Sequence, residues 1–316
     1  MTDLVVGVTA VAFSCDVERV RALQDAFPGI IHINDKKRRF TLDELVLFLQ
    51  KCDYAIVGLD QITRAVLEQC PRLKVISKYG VGLDNIDFDA CERFGVRVIF
   101  PKGVNKRSVT EEVLGAILSL MRNLYVTANL MKRGEWVVQG GRQLTGKTVG
   151  IIGVGHIGKD LIEILRPFGC KILVNDIIEQ DEYYHRVGAM AVGKEDIFKN
   201  ADVVTVHTPL NDETRHMIDE RALALMKPTA ILVNAARGGI VDESALKKAL
   251  REKKLAGAAL DVYEVEPLQD LELVQFDNLM CMPHIGGNAK EAIEAMGMAA
   301  IDNLMTAIGE NDGNCR

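Results

Sequence analysis

The stretch from Thr148 to Asp176 constrains this chain more than any other. Thr148 to Ile152 is short, apolar and rich in β-branched residues, as a buried parallel strand requires. It runs into G-x-G-x-x-G, with Gly153, Gly155 and Gly158 in the three places. Ile157, Leu161, Ile164, Leu165 and Phe168 then recur at helical spacing on one face, and Gly169 is placed to end that helix. A second strand, Lys171 to Asn175, leads into Asp176.

Each part has a physical task. Gly153 allows the tight strand-to-helix turn, Gly155 lets a pyrophosphate approach the backbone, and Gly158 lets the helix pack close to the strand. The helix N-terminus offers free N–H groups and partial positive charge to phosphates. Asp176 follows Gly158 by 18 residues, where a carboxylate can accept the adenosine ribose hydroxyls and would repel a 2′-phosphate. Ile177 and Ile178 supply no cation for such a phosphate, so the pattern favours NAD over NADP. A bare βα turn that binds nothing would leave Asp176 unexplained.

The rest of the chain fits that reading. Its 316 residues suit two domains, and 48% hydrophobic with 26% charged residues is ordinary for a globular protein. A net charge of −6 argues against general affinity for nucleic acid or a membrane surface. No apolar run approaches the roughly 20 residues of a bilayer span, and the N-terminus lacks the basic and apolar regions of a signal peptide. The seven cysteines (Cys15, Cys52, Cys70, Cys91, Cys170, Cys281, Cys315) are widely spaced without C-x-x-C. They suit small core positions in a reducing cytoplasm, with Cys315 exposed, and no metal site is expected.

Residues 1 to about 100 alternate strand and helix, with strands expected at 4–9, 30–33, 54–57, 74–77 and 96–99. This predicts a parallel sheet with helices on both faces. The basic run Lys36 to Arg39 precedes a helix with a capping box at Thr41 and Glu44, and reads as a solvated loop or, less simply, an anion contact. Residues 78–82, Lys-Tyr-Gly-Val-Gly, are either an ordinary turn or a loop whose N–H groups face a carboxylate. A helix is expected from Ser108, with Glu111 at capping-box spacing, continuing through Leu124. Apolar residues cover most of its circumference, so it should be buried between domains or subunits.

Beyond 148–176, strands are expected at 203–206, 230–233, 257–260 and 279–282. Each ends in polar residues: His207-Thr208-Pro209, Asn234-Ala235-Ala236-Arg237, Asp261 and Pro283-His284. Ligands in open α/β sheets bind outside the carboxyl ends of strands. Reduction of a ketone beside a carboxylate needs a proton donor and a cation. Arg237 can grip a carboxylate bidentately, and a histidine such as His284 can act as acid in one direction and base in the other. Glu266 could fix the tautomer of His284 from its second nitrogen. Taken singly, Arg237 could be a surface residue, Glu266 an exposed acid and His284 a turn residue. All three fall on loops at one sheet edge. His207 reads as a cofactor neighbour, and His32, His185 and His216 as incidental. The last segment, 289–308, should be a helix returning to the first domain through Met296, Ala299, Ala300, Asn303 and Leu304, which would place a cleft between two lobes joined twice.

These motifs closely resemble the D-isomer-specific 2-hydroxyacid dehydrogenases, especially their phosphoglycerate-dehydrogenase-like branch. The resemblance rests on Gly80 to Asp84, Gly103 to Val109, Leu144 to Gly158, His207 to Leu210, Asn234 to Glu243, Ala259 to Val262, Glu266-Pro267 and Pro283 to Gly287. It implies two doubly wound α/β domains: a flavodoxin-like substrate lobe of residues 1–100 plus 288–316, and a Rossmann NAD-binding domain of 101–287. It implies catalytic roles for Arg237, Glu266 and His284. It implies cofactor contacts from Gly153, Gly155, His156, Ile157, Gly158, Asp176, His207, Thr208, Pro209, Ala235, Ala236, Arg237, Asp261 (to the nicotinamide amide), His284 and Gly286. Substrate contacts would come from Lys78, Tyr79, Gly80, Val81, Gly82, Asn105, Arg237 and His284. It also implies a homodimer built on the cofactor domain through the helix from Ser108.

The expected activity is NAD-dependent interconversion of a D-2-hydroxy acid and its 2-oxo acid. A 3-phosphoglycerate dehydrogenase proper is an alternative. Against it, Gly58-Leu59-Asp60 stands where such enzymes often carry Arg, and an acid there would repel phosphate, with Lys78 a partial substitute. The chain also ends too soon for the regulatory domains that long relatives append. A non-catalytic NAD(H)-sensing regulator is the alternative of another class, opposed by the complete Arg237, Glu266 and His284 set.

Overall fold

The computed structural model describes residues 4–313. Cys315, expected at the surface, lies outside them. Two compact units divide at Asn105/Lys106 and again at Ala289/Lys290, so the outer segments form one unit and the middle forms the other. The sequence pattern places these divisions at 100/101 and 287/288. The helix Lys106–Met121 opens the second unit.

The first unit holds β1 (Val5–Val8), β2 (Ile30–Ile33), β3 (Tyr54–Val57), β4 (Val75–Lys78) and β5 (Arg97–Ile99), all parallel in the order β2-β1-β3-β4-β5. Every residue of β1, β3 and β4 is buried, as parallel strands covered on both faces must be. One face packs against Leu45, Leu49, Val66, Leu67 and Cys91. The other packs against Phe13, Leu23 and the C-terminal helix Lys290–Gly313, which buries Ala300, Ile301, Leu304 and Ala307. Ser77 Oγ donates to the Ala300 carbonyl at 2.7 Å and fixes that helix to β4. Thr41 and Glu44 cap each other reciprocally, and Glu44 also receives Lys36 and Arg38, so two of the four cations of the basic run share one carboxylate.

The second unit holds β6 (Thr148–Ile152), β7 (Lys171–Asn175), β8 (Ala189–Ala191), β9 (Val203–Val206), β10 (Ile231–Asn234), β11 (Gly257–Leu260) and β12 (Leu279–Cys281). They are parallel in the order β12-β11-β10-β9-β6-β7-β8. Strand order reverses between β6 and β9, which makes the carboxyl ends of those two strands the switch point where ligands bind. β8 is not expected from Ala-Met-Ala, which carries no β-branched residue.

One helix corrects the sequence reading. It spans Lys106–Met121, so Ser108 is inside it and forms no capping box with Glu111. The Ser108 hydroxyl instead donates to the Gly286 carbonyl at 2.5 Å and accepts from Ala289 N at 3.1 Å. The helix does not continue through Leu124. Asn123 adopts φ 53°, and a second helix, Leu124–Lys132, leaves at a 68° bend with no buried residue. No single helix among the described residues is long and apolar enough to cross a membrane.

Candidate active site

The fingerprint turn is made by close backbone packing. Gly153 has φ 94°, and a β-carbon there would lie 2.6 Å from the His207 carbonyl oxygen. A β-carbon on Gly158 would lie 2.3 Å from the Gly153 carbonyl oxygen, so the His156–Leu165 helix approaches β6 only with glycine at that place. Gly155 differs, because a β-carbon on it meets nothing within 4 Å. It is the N-cap, and no side chain caps the helix. Open space over uncapped N–H groups, at the positive end of a helix, suits a pyrophosphate. Gly155 and His156 are exposed there and Ile157 is half-buried.

Asp176 braces the same turn from the end of β7. Its Oδ2 accepts from Val154 N at 2.5 Å and its Oδ1 from Ile178 N at 2.9 Å. The carboxylate is thereby oriented, and each oxygen retains a lone pair for a further donor. At the end of β9, His207 Nε2 lies 3.0 Å from Thr205 Oγ1. Its Nδ1 and the Thr208 hydroxyl are buried without hydrogen-bond partners, although part of each residue's surface remains accessible. Burial pushes the His207 imidazole down to about 4, so the ring is neutral at pH 7. Two orphaned polar atoms beside the fingerprint turn are groups that a bound dinucleotide could satisfy. The donor set and the open cradle at Gly155 therefore fit the cofactor implied by the fingerprint. Pro209 is exposed beside them.

The Arg237 loop leaves β10 through Ala235 and Ala236. Asn234, 1% exposed, donates from Nδ2 to the Arg237 carbonyl at 2.9 Å and accepts from Ala236 N at 3.1 Å. Arg237 Nη1 donates to the Ala236 carbonyl at 2.7 Å. The sequence pattern does not single out Asn234 as a site residue. It appears there only within the polar cluster and the motif that lead to Arg237, with no role of its own.

His284 follows β12 with φ 56°, and its Nδ1 lies 2.8 Å from Glu266 Oε2. Glu266 Oε1 accepts from Tyr263 N at 3.1 Å, which fixes the carboxylate from its other side. An ionised carboxylate only accepts, so Nδ1 carries the proton and Nε2 is left for chemistry. Asp261 ends β11 with 1% exposure, and its two oxygens accept from Ile285 N and Gly286 N, each at 2.7 Å. The resemblance assigns Asp261 to the nicotinamide amide; the structure shows it holding the backbone that follows His284. Within this unit the structure thus brings Glu266, His284, Asp261 and Gly286 together, and separately brings the fingerprint turn together with Asp176, His207 and Thr208.

The remaining candidates belong to the first unit, which runs through Asn105 before the chain enters the second. Lys78 closes β4 instead of opening the loop, is 1% exposed, and donates from Nζ to the Gly58 carbonyl at 2.5 Å. The sequence pattern offers its ammonium to a substrate; the structure buries it. Tyr79 OH accepts from Arg19 Nη1 at 2.6 Å, and Gly80 turns the chain with φ 116°. Val81 and Gly82 are half-buried, and Asn105 is buried. Asp60, read as an acid facing substrate, is only 6% exposed. No group of three or more His, Cys, Asp or Glu among the described residues could hold a metal ion.

Residues 114–286 match the family model described as D-isomer specific 2-hydroxyacid dehydrogenase, NAD binding domain. The chain is 38% identical over 268 residues to a D-3-phosphoglycerate dehydrogenase of Methanocaldococcus jannaschii, covering 84% of this chain and 51% of that protein. It therefore spans about half the length of that relative. It is 38% identical over 255 residues to a glyoxylate reductase of Thermococcus litoralis, covering 78% of this chain and 77% of that one. Among solved structures, a D-lactate dehydrogenase from Aquifex aeolicus complexed with NAD and lactic acid superimposes with a TM-score of 0.82 at 28% identity, covering 98% and 96% of the two chains.

Proposed function

The chain belongs to the D-isomer-specific 2-hydroxyacid dehydrogenases, an NAD-binding oxidoreductase family, and from that premise we propose that it interconverts a small D-2-hydroxy acid and the corresponding 2-oxo acid. The observation that carries this is the 2.8 Å contact of His284 Nδ1 with Glu266, in the unit that holds the fingerprint turn. NAD, when bound, supplies the two-electron redox chemistry. The protein supplies the proton and the geometry. Arg237 pairs with the substrate carboxylate through two parallel N–H bonds. His284 Nε2 gives a proton to the carbonyl oxygen in reduction and takes the hydroxyl proton in oxidation. Glu266 holds the imidazole and stabilises its charged form during transfer. Asn234 and Asp261 keep the two active loops in place through the backbone bonds described above.

The relatives named for glyoxylate and for 3-phosphoglycerate leave the acid to be settled by assay. NADH oxidation with glyoxylate, hydroxypyruvate, pyruvate and 3-phosphohydroxypyruvate tests the proposal. Turnover of any of these supports it, and the phosphorylated member separates the narrower 3-phosphoglycerate activity from a general one. NADPH run in parallel tests Asp176. The wild type is expected to prefer NADH, and Asp176→Ala to lower that preference about 10- to 100-fold, the value of one or two charge-assisted hydrogen bonds and a lost repulsion. An unchanged ratio would remove Asp176 from cofactor choice.

We also propose a homodimer. Leu124, Met131, Trp136 and Val138 are 54%, 50%, 80% and 89% exposed along one segment of the second unit, and large apolar side chains clustered in one exposed segment suit a protein interface. A second copy of the chain is the occupant proposed. Light scattering is expected to give twice the chain mass for the wild type and a monomer for the Trp136→Asp, Val138→Asp double variant. A monomeric wild type at micromolar concentration would overturn this. The cytoplasm is the compartment we propose, because the buried free thiols of Cys52, Cys70 and Cys91 suit a reducing environment.

A further inference from the structure

Three residues of the Lys106–Met121 helix face the loop that carries His284. Ser108 holds the Gly286 carbonyl and Ala289 N, as described above. A β-carbon on Gly286 would lie 3.6 Å from Val109 Cγ1, 2.9 Å from Glu112 Oε2 and 3.1 Å from Asp261 Oδ2. Ser108 and Glu112 are one turn apart, so they share this face. Glu112 and Asp261 thus converge on one point beside Gly286. Both Glu112 oxygens are buried without any hydrogen-bond partner.

Two buried carboxylates at such a point cannot both be ionised without a cation between them. The assignment of the charge follows from their partners. Burial raises the Asp261 carboxyl most, and Glu266 adds to that rise, but two backbone N–H groups and the attraction of His284 oppose it and favour the ionised form. Glu112 receives no donor. Asp160, which faces the same helix from the His156–Leu165 helix, is held by Arg107. We propose that Glu112 is a positioning residue for His284: as a neutral carboxyl it lets Asp261 stay ionised and hold Ile285 and Gly286, and its ionisation loosens that loop. This deepens the reading of His284 as the proton-transfer group and rests on it.

Burial, with the Asp261 charge beside it, pushes the Glu112 carboxyl from its ordinary 4.5 up to about 8. Between those values the folded protein holds one proton more than the unfolded chain. The stability from this site is therefore complete below 4.5, falls as pH rises through that window, and is lost above about 8.

Glu112→Gln fixes the neutral form at the same size. Melting of the ligand-free protein between pH 6 and 9 is the first readout. The Tm advantage of the variant over wild type is expected to widen by about 3 °C or more across that range. The second readout is the pH profile of NAD reduction with D-glycerate, glycolate and D-lactate, in the direction where deprotonated His284 is the working form. E112Q should match wild type within about threefold at pH 7 and exceed it about fivefold or more at pH 9.5. Glu112→Met, an apolar near-isostere, should behave alike and serves if the amide variant folds poorly. A Tm difference that is constant with pH overturns the neutral carboxyl. A widening difference with superimposable rate profiles overturns the positioning role. If wild type turns over no acid, the dehydrogenase reading falls together with the positioning role, while the melting comparison still decides the protonation of Glu112.

Discussion

His284→Ala is expected to lower kcat by about 10²- to 10⁴-fold in both directions while leaving NADH affinity within a fewfold of wild type. The imidazole is exposed at its ring and tied at Nδ1 to Glu266, so its removal opens no core cavity and should cost little stability. It leaves the carbonyl oxygen with water as its proton source. It does not touch the Gly155 cradle, the Asp176 carboxylate or the orphaned His207 and Thr208 atoms, which lie at other strand ends. Fluorescence titration with NADH and steady-state turnover separate the two effects. A variant that keeps wild-type kcat would remove His284 from the chemistry, and a variant that no longer binds NADH would make it a cofactor-site residue.

Arg237→Lys is expected to be nearly as damaging as Arg237→Ala, with kcat/KM down by about 10²- to 10⁴-fold in each. The reason is geometric. A planar guanidinium can place two parallel N–H bonds on a carboxylate and so fix the carbonyl beside it, whereas an ammonium is a point charge with no preferred plane. The backbone under Arg237 is already rigid, because Asn234 both donates to its carbonyl and accepts from Ala236 N. Rescue by added guanidine in Arg237→Ala would identify the lost group directly. A Lys variant with wild-type kcat/KM would show that charge alone suffices and that the bidentate contact is absent.

Much of the molecule could be read from local pattern. β-branched runs such as Val203–Val206 and Tyr54–Val57 are buried on both faces and mark parallel strands without help from tertiary context. Thr41 with Glu44 forms the capping box that their spacing predicts. Gly153 and Gly158 carry their own reason, since any side chain would meet backbone oxygen. The chemistry of a proton-transferring histidine calls for a carboxylate against its second nitrogen, and the structure shows Glu266 there.

Other features depend on contacts far apart in the chain. Ser108 has the spacing of a helix cap, yet its hydroxyl is used 178 residues away at Gly286, and no local rule weighs that partner. Lys78 looks like a loop cation because the apolar pattern ends one residue before the strand does; strand ends are set by ladder hydrogen bonds, here Tyr79 N to the carbonyl of Val57, the register partner of Lys78. The break after Met121 has no proline or glycine to announce it, only Asn123 in the left-handed region. Glu112 is one of two adjacent glutamates, and nothing in the pair Glu111-Glu112 says that the second is turned toward Asp261. Asp60 is charged and so reads as a group facing substrate, whereas its position after β3 buries it.

The most direct test of the central claim is the handedness of the product. Pyruvate or hydroxypyruvate, reduced by NADH in the presence of the enzyme, would be separated by chiral chromatography. A single D-2-hydroxy acid, formed in equal amount to the NADH consumed and lost in His284→Ala, is the predicted result. An L or racemic product, or NADH binding with no acid reduced across the panel, would contradict the account.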